Sequence, residues 1–195
     1  MEDFSEYPVI KGVADLRFGL YDKMPSFLYA YSDILIELCL THNRLREVPK
    51  DIGSLFMLQS LDVSHNKLTI IDEGLGQCIR LKNLNLSNNE LTIIPNNIFK
   101  TCIHIENCFI GNNMLSVFPQ YICKLPLLEN LEVHCNMVEM IPFELSLIVS
   151  PLSAQETVLF WCSSLTTRHF LLYRNKLITV IEQITQANFE DLYLR

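Results

Sequence analysis

Leucine recurs through the middle of this chain at a spacing that suits neither a long helix nor an isolated strand. Residues 81–95, LKNLNLSNNELTIIP, set apolar side chains at Leu81, Leu84, Leu86, Leu91 and Ile94, with the polar Asn89 held among them. The LxL portion alternates at period two, which predicts a short strand with one face turned to a core. The stretch after Leu91 is too short for a regular helix and predicts a loosely helical return segment. The same pattern surrounds Asn43, Asn66, Asn113 and Asn136, so that five asparagines, with Asn89, stand 23, 23, 24 and 23 residues apart. A fixed period of this length predicts similar turns stacked along one axis, each contributing a strand to a parallel sheet on a concave face and a return segment to a convex one.

Leu81, Leu84, Leu86, Asn89, Leu91 and Ile94, with Pro95 and Ile98 behind them, match the LxxLxLxxNxLxxI signature in its 23-residue form. On these residues the chain resembles the leucine-rich-repeat family, in particular the cytoplasmic type that reads LxxLPxxI after the asparagine, similar to Ras-binding and signalling scaffolds. The resemblance implies an α/β solenoid, an arc with short parallel strands inside and loosely helical or 3-10 segments outside. It implies protein binding and not catalysis.

Along the chain, residues 1–10 carry no repeat and are expected to be a flexible tail. Residues 11–34 form a degenerate unit with Gly19 at the asparagine position, expected to act as an N-terminal cap covered by Tyr21, Phe27, Tyr29 and Tyr31. Residues 35–149 hold five regular repeats. The unit from Leu58 has Asp72 in place of the proline, with Gly74 and Gly76 close behind, which predicts a loosened convex segment. Residues 150–166 are an insertion too apolar to lie free in water, expected to fold back on the array or to meet a partner. Residues 167–195 restore the pattern around a sixth asparagine, Asn175, and begin a further repeat at Phe189, Leu192 and Leu194. Either the chain is a fragment, or its last strand leaves a sheet edge that predicts self-association or fraying.

Two sets of residues carry the functional expectation. The asparagines Asn43, Asn66, Asn89, Asn113, Asn136 and Asn175 are expected to turn inward and satisfy backbone groups that no sheet bond reaches, a structural ladder. Around each, the positions six, four and two before and one after face outward on the concave side. In the first three repeats these are polar. In later ones Phe109, Met114, Met137, Leu171 and Tyr173 gather with Glu132, His134 and His169, forming the expected partner-binding face unless the insertion shelters it.

Composition narrows the classes. Hydrophobic residues at 49% and charged residues at 19% exclude a disordered chain. A net charge of -7 argues against nucleic-acid or anionic-membrane partners, which need clustered Lys and Arg. The acidic start MEDFSEYPVIKG does not read as a secretory signal, and residues 143–165 are interrupted by Glu144, Gln155 and Glu156, so membrane insertion is not expected. Seven cysteines form no CxxC pair and no terminal cluster, and Cys108 replaces a repeat leucine, so reduced thiols and a cytoplasmic location are expected. GxxxxGK[ST], GxGxxG, GxSxG and HExxH are all absent, so neither an enzyme nor a cofactor is expected. The five histidines are scattered, and adjacent His134 and Cys135 are poorly placed to share a metal. The leading expectation is a scaffold or adaptor in intracellular signalling that binds a protein on its concave face. The alternatives are the substrate-recognition region of a larger enzyme, such as a ubiquitin ligase or kinase, and a structural cytoskeletal or ciliary component.

Overall fold

The structure is a computed structural model and describes residues 9–139 and, as backbone, 169–171. Seven parallel strands form one sheet. They are β1 (Val13–Asp15), β2 (Glu37–Cys39), β4 (Ser60–Asp62), β6 (Asn83–Asn85), β7 (Asn107–Phe109), β8 (Asn130–Glu132) and β9 (His169–Leu171), adjacent in that order. Two further two-residue strands, β3 (Glu47–Val48) and β5 (Ile70–Ile71), pair in parallel beside it. The architecture is the expected leucine-rich-repeat arc. Its strands are centred on the middle leucine of each unit, because Leu38, Leu61 and Leu84 point inward while both neighbours point outward.

The core is one continuous apolar column of inward side chains from Ala14 to Val138. Leu40, Val63, Leu86, Ile110 and Val133 hold one equivalent position in successive turns, and each is fully buried. A strand of three residues cannot stand alone in water, so each turn depends on its neighbours to bury its leucines. On the N-terminal side, Tyr21, Phe27, Tyr29 and Tyr31 lie half-buried against the end of this column, and β1 adds a strand beside β2.

The convex segments begin where a proline ends the extended backbone. The 3-10 turns Lys50–Ser54 and Gln120–Lys124 and the short helix α1 (Asn96–Thr101) come directly after Pro49, Pro119 and Pro95. Proline suits that place because the first amide of a helical turn has no intrahelical partner. In the segment Glu73–Gln77, which has no proline before it, Asp72 supplies the start by accepting a hydrogen bond from the Gly74 amide at 2.8 Å.

This segment is not loosened, contrary to the expectation from its glycines. A Cβ on Gly74 would stand 2.4 Å from the carbonyl oxygen of Lys50, so glycine lets neighbouring convex turns pack closely. Thr101 further ties this segment to α1 by donating to the Gly76 carbonyl at 2.7 Å.

Strand β9 pairs with β8 in the register Asn130↔His169, Leu131↔Phe170 and Glu132↔Leu171. Of the expected tail 1–10, Val9 packs against the core and Ile10 bridges to Val13, while the expectations for residues 1–8, the insertion 150–166, Tyr173, Asn175 and the final truncated repeat lie outside the described residues.

Candidate interaction surface on the concave face

Behind the concave face lie the asparagines. Asn89 donates from Nδ2 to the Val63 carbonyl of the preceding turn and to Leu86 of its own, both at 3.0 Å, and its Oδ1 accepts the Leu68 amide at 3.0 Å. Asn43, Asn66, Asn113 and Asn136 repeat this pattern, each joining two turns through one amide group. The residue just before each asparagine, namely His42, His65, Asn88, Asn112 or Cys135, adopts a left-handed backbone with φ between 52° and 56°. Sequence reasoning missed that position. Asn88 and Asn112 are residue types that tolerate it, and they were the available signal.

These left-handed residues form a ladder of their own. The His42 ring stacks on Phe18 at 4.7 Å and on His65 at 4.3 Å, and Asn88 Nδ2 lies 3.3 Å from His65 Nε2.

Several outward side chains of the first turns pair with one another. Asp15 pairs with Arg17 at 2.6 Å, and this guanidinium lowers the Asp15 pKa below the usual carboxylate range. Asp62 accepts from the Ser64 amide at 2.9 Å, from its hydroxyl at 2.6 Å and from Asn85 at 3.2 Å. Thr41 and Ser64 share a hydrogen bond of 3.0 Å, and Asn85 holds the Ser87 hydroxyl at 2.7 Å. Along the sheet edge Asn107 donates to Asn83 at 2.7 Å, and Asn130 donates in turn to Asn107.

This polar network changes character at β7 and β8. Phe109 is half-buried beside Glu132 in register, occupying the row that Asp62 and Asn85 hold in earlier turns. Met114 and Met137 are 44% and 39% exposed, in adjacent turns. His134 Nδ1 lies 3.8 Å from the Glu132 carboxylate, and Nε2 lies 3.4 Å from Asn112 Nδ2. Its ring rests over Gly111, where a Cβ would meet it at 2.6 Å. His134 is therefore a packed part of the surface, with a side chain only 12% exposed. The structure sets Phe109 beside Glu132 in register and Glu132 near His134, and it leaves Met114 and Met137 exposed one residue after Asn113 and Asn136. It sets the backbone of His169 and Leu171 one strand further on, while Tyr173 lies outside the described residues.

Among the described residues the thiols are inward or half-covered. Burial pushes Cys108 and Cys78 up to about 12 and Cys102 up to about 11, which leaves them inert at neutral pH. Among the described residues no three histidine, cysteine or acidic side chains group as metal ligands, and no helix is long and apolar enough to cross a membrane.

Comparison with known proteins agrees with this architecture. The Leucine Rich Repeat family model matches residues 57–78 and 80–102. A leucine-rich-repeat protein of Leptospira interrogans is similar over 88% of this chain and 39% of its own, at 26% identity and a TM-score of 0.69. An internalin of Listeria monocytogenes matches over 61% of this chain and 34% of its own, at 21% identity and a TM-score of 0.53. A Shigella effector leucine-rich-repeat domain matches over 89% of this chain and 63% of its own, at 17% identity and a TM-score of 0.57, and like the internalin it speaks for the fold alone. This chain therefore spans less than two thirds of each. No curated protein matches it in sequence. Repeats of this kind generally serve as non-catalytic protein-binding surfaces, and with its period, parallel sheet and asparagine-bridged turns the chain has the leucine-rich-repeat fold.

Proposed function

We propose that this protein is a scaffold or adaptor of intracellular signalling, of the LxxLPxxI type, which binds a protein partner on the concave face at Phe109, Met114, Glu132, His134 and Met137. By the repeat spacing of the sequence, His169, Leu171 and Tyr173 are proposed as further members of the binding set. The observation that carries the reading is the change of chemistry along one surface. Asp15 with Arg17, and Thr41, Asp62, Ser64, Asn85 and Ser87 among themselves, are paired on the outward side, whereas in later turns Phe109 takes the place of Asp62 and Asn85 and Met114 and Met137 are exposed. Apolar side chains rimmed by polar groups are the usual anatomy of a contact surface.

The test is capture of partners from cytosolic extract by the full chain and by a Phe109→Glu, Met137→Glu double variant. Loss of the captured partner is expected, with stability changed by no more than about 1 kcal/mol, as for surface positions. Unaltered capture by a folded double variant would sink this reading.

A further inference from the structure

Beside the concave face runs a second surface, built by the short segment after each asparagine. Its turns are locked side by side: the amides of Lys67, Glu90, Met114 and Met137 donate to the carbonyls of Leu45, Leu68, Leu91 and Leu115 at 2.8 to 2.9 Å. Because Leu68, Leu91 and Leu115 point into the core, the first, third and fourth residues after each asparagine point out. The fourth position is Glu47 after Asn43 and then Ile70, Ile93 and Val117, which are 58%, 58% and 57% exposed. The first position adds Met114 and Met137 to this stripe.

Charge is sorted along the same flank. Its N-terminal end carries Arg44, Arg46 and Lys67 against one acid, Glu47. The later turns carry exposed Glu90 and Glu139, with no Lys or Arg at these flank positions. Among the described residues neither Glu90 nor Glu139 has a salt bridge. The apolar stripe therefore runs from a basic end to an acidic one.

We propose that this flank is a docking site for an amphipathic helix of a protein partner, acidic at its N-terminal end and basic at its C-terminal end. The inference rests on the reading of the chain as a protein-interaction module but assigns the flank centred on Ile70, Ile93 and Val117, which meets the concave face along the edge that Met114 and Met137 share. Spacing selects the helix. Equivalent residues in neighbouring turns stand about 4.8 Å apart, whereas same-face residues of an extended strand recur every 6.7 Å or so. Side chains three and four residues apart on a helix rise by about 4.5 and 6 Å, so a helix keeps step with Ile70, Ile93 and Val117. Five turns span about 19 Å, the length of roughly 13 helical residues. Charge selects the polarity, since a helix acidic at its start and basic at its end suits both its own dipole and the two ends of the flank.

The probe is a fluorescein-labelled synthetic 14-residue helix with Glu in its first turn, Leu at helical spacing and Lys in its last turn. A control peptide has Glu and Lys exchanged, and both are titrated by anisotropy against the full chain. The first peptide should bind at least tenfold more tightly than the control. Ile93→Glu with Val117→Glu should abolish binding at unchanged Tm, and Glu90→Lys with Glu139→Lys should weaken the first peptide and strengthen the control. Equal affinities for the two peptides, or binding that survives Ile93→Glu with Val117→Glu, would overturn the proposal. A lowered Tm in that variant would mean that another part of the chain already covers the stripe, and loss of self-association there without competition by the peptide would assign the flank to a second copy. Either overturns it. Phe109→Glu should leave peptide affinity within twofold, and abolition of binding by that change would move the helix to the concave face, so failure here is separable from failure of the concave-face reading.

Discussion

A single amide group in each repeat does two jobs that no apolar side chain could share. Asn89 supplies protons to carbonyls of two turns and accepts the Leu68 amide, all at positions shut off from water. Leaving a buried donor or acceptor unmatched costs about 1–3 kcal/mol, so Asn89→Ala should destabilise the chain by about 3 kcal/mol or more in urea unfolding. A loss below about 1 kcal/mol would show that water replaces the amide and that the ladder is not structural. The asparagines and their period are plain in the sequence because the constraint is local and repeats. The His134 packing was not legible, since it depends on Gly111 in the neighbouring turn leaving space for the ring.

The convex segments show how one element is read wrongly when its neighbours are unknown. Glycine commonly weakens a helical turn, and its replacement by alanine at an unconstrained helical site gains up to about 1 kcal/mol. Gly74 should respond in the opposite sense. Its missing Cβ is what admits the Lys50 carbonyl of the preceding convex turn, a backbone atom that cannot swing aside. Gly74→Ala is therefore expected to lower stability by about 1–3 kcal/mol, the usual range for overpacking. Thermal denaturation of this variant decides the matter, and a raised Tm would restore the loosened segment that the glycines predict.

Across the whole molecule the column of inward residues makes the turns interdependent, and its buried thiols give that column a pH signature. Cys78, Cys102 and Cys108 ionise in the unfolded chain near the ordinary value of 9.0, but in the folded chain only near 11 or 12, because burial penalises the thiolate. A folded pKa raised above the unfolded one means that the native state keeps protons the unfolded state has lost. Stability from these groups is thus fully present below pH 9 and is lost as pH rises toward 12. Each thiol contributes a slope of about 1.4 kcal/mol per pH unit in that window. Urea midpoints measured from pH 8 to 11 should fall, and Cys108→Ala should make the decline shallower. An identical slope in the variant would show that Cys108 is not shielded from water.

By itself the sequence determined the repeat, its length, the asparagine positions, the parallel strands and the inward leucines, since each comes from a spacing of a few residues repeated until chance is excluded. It also marked where apolar residues enter outward rows, at Phe109, Met114 and Met137. Only the tertiary structure decided what those rows mean. Side chains that cooperate on the surface are 22 to 24 residues apart, as in Asp62 with Asn85, Asn83 with Asn107 and His42 with His65. Whether they satisfy one another or stay open depends on the lateral contact of stacked turns, as does the sorting of charge along the flank of Ile70, Ile93 and Val117. Lateral contact is a property of the stack, because hydrogen bonding and packing act through space between turns that the chain order keeps far apart.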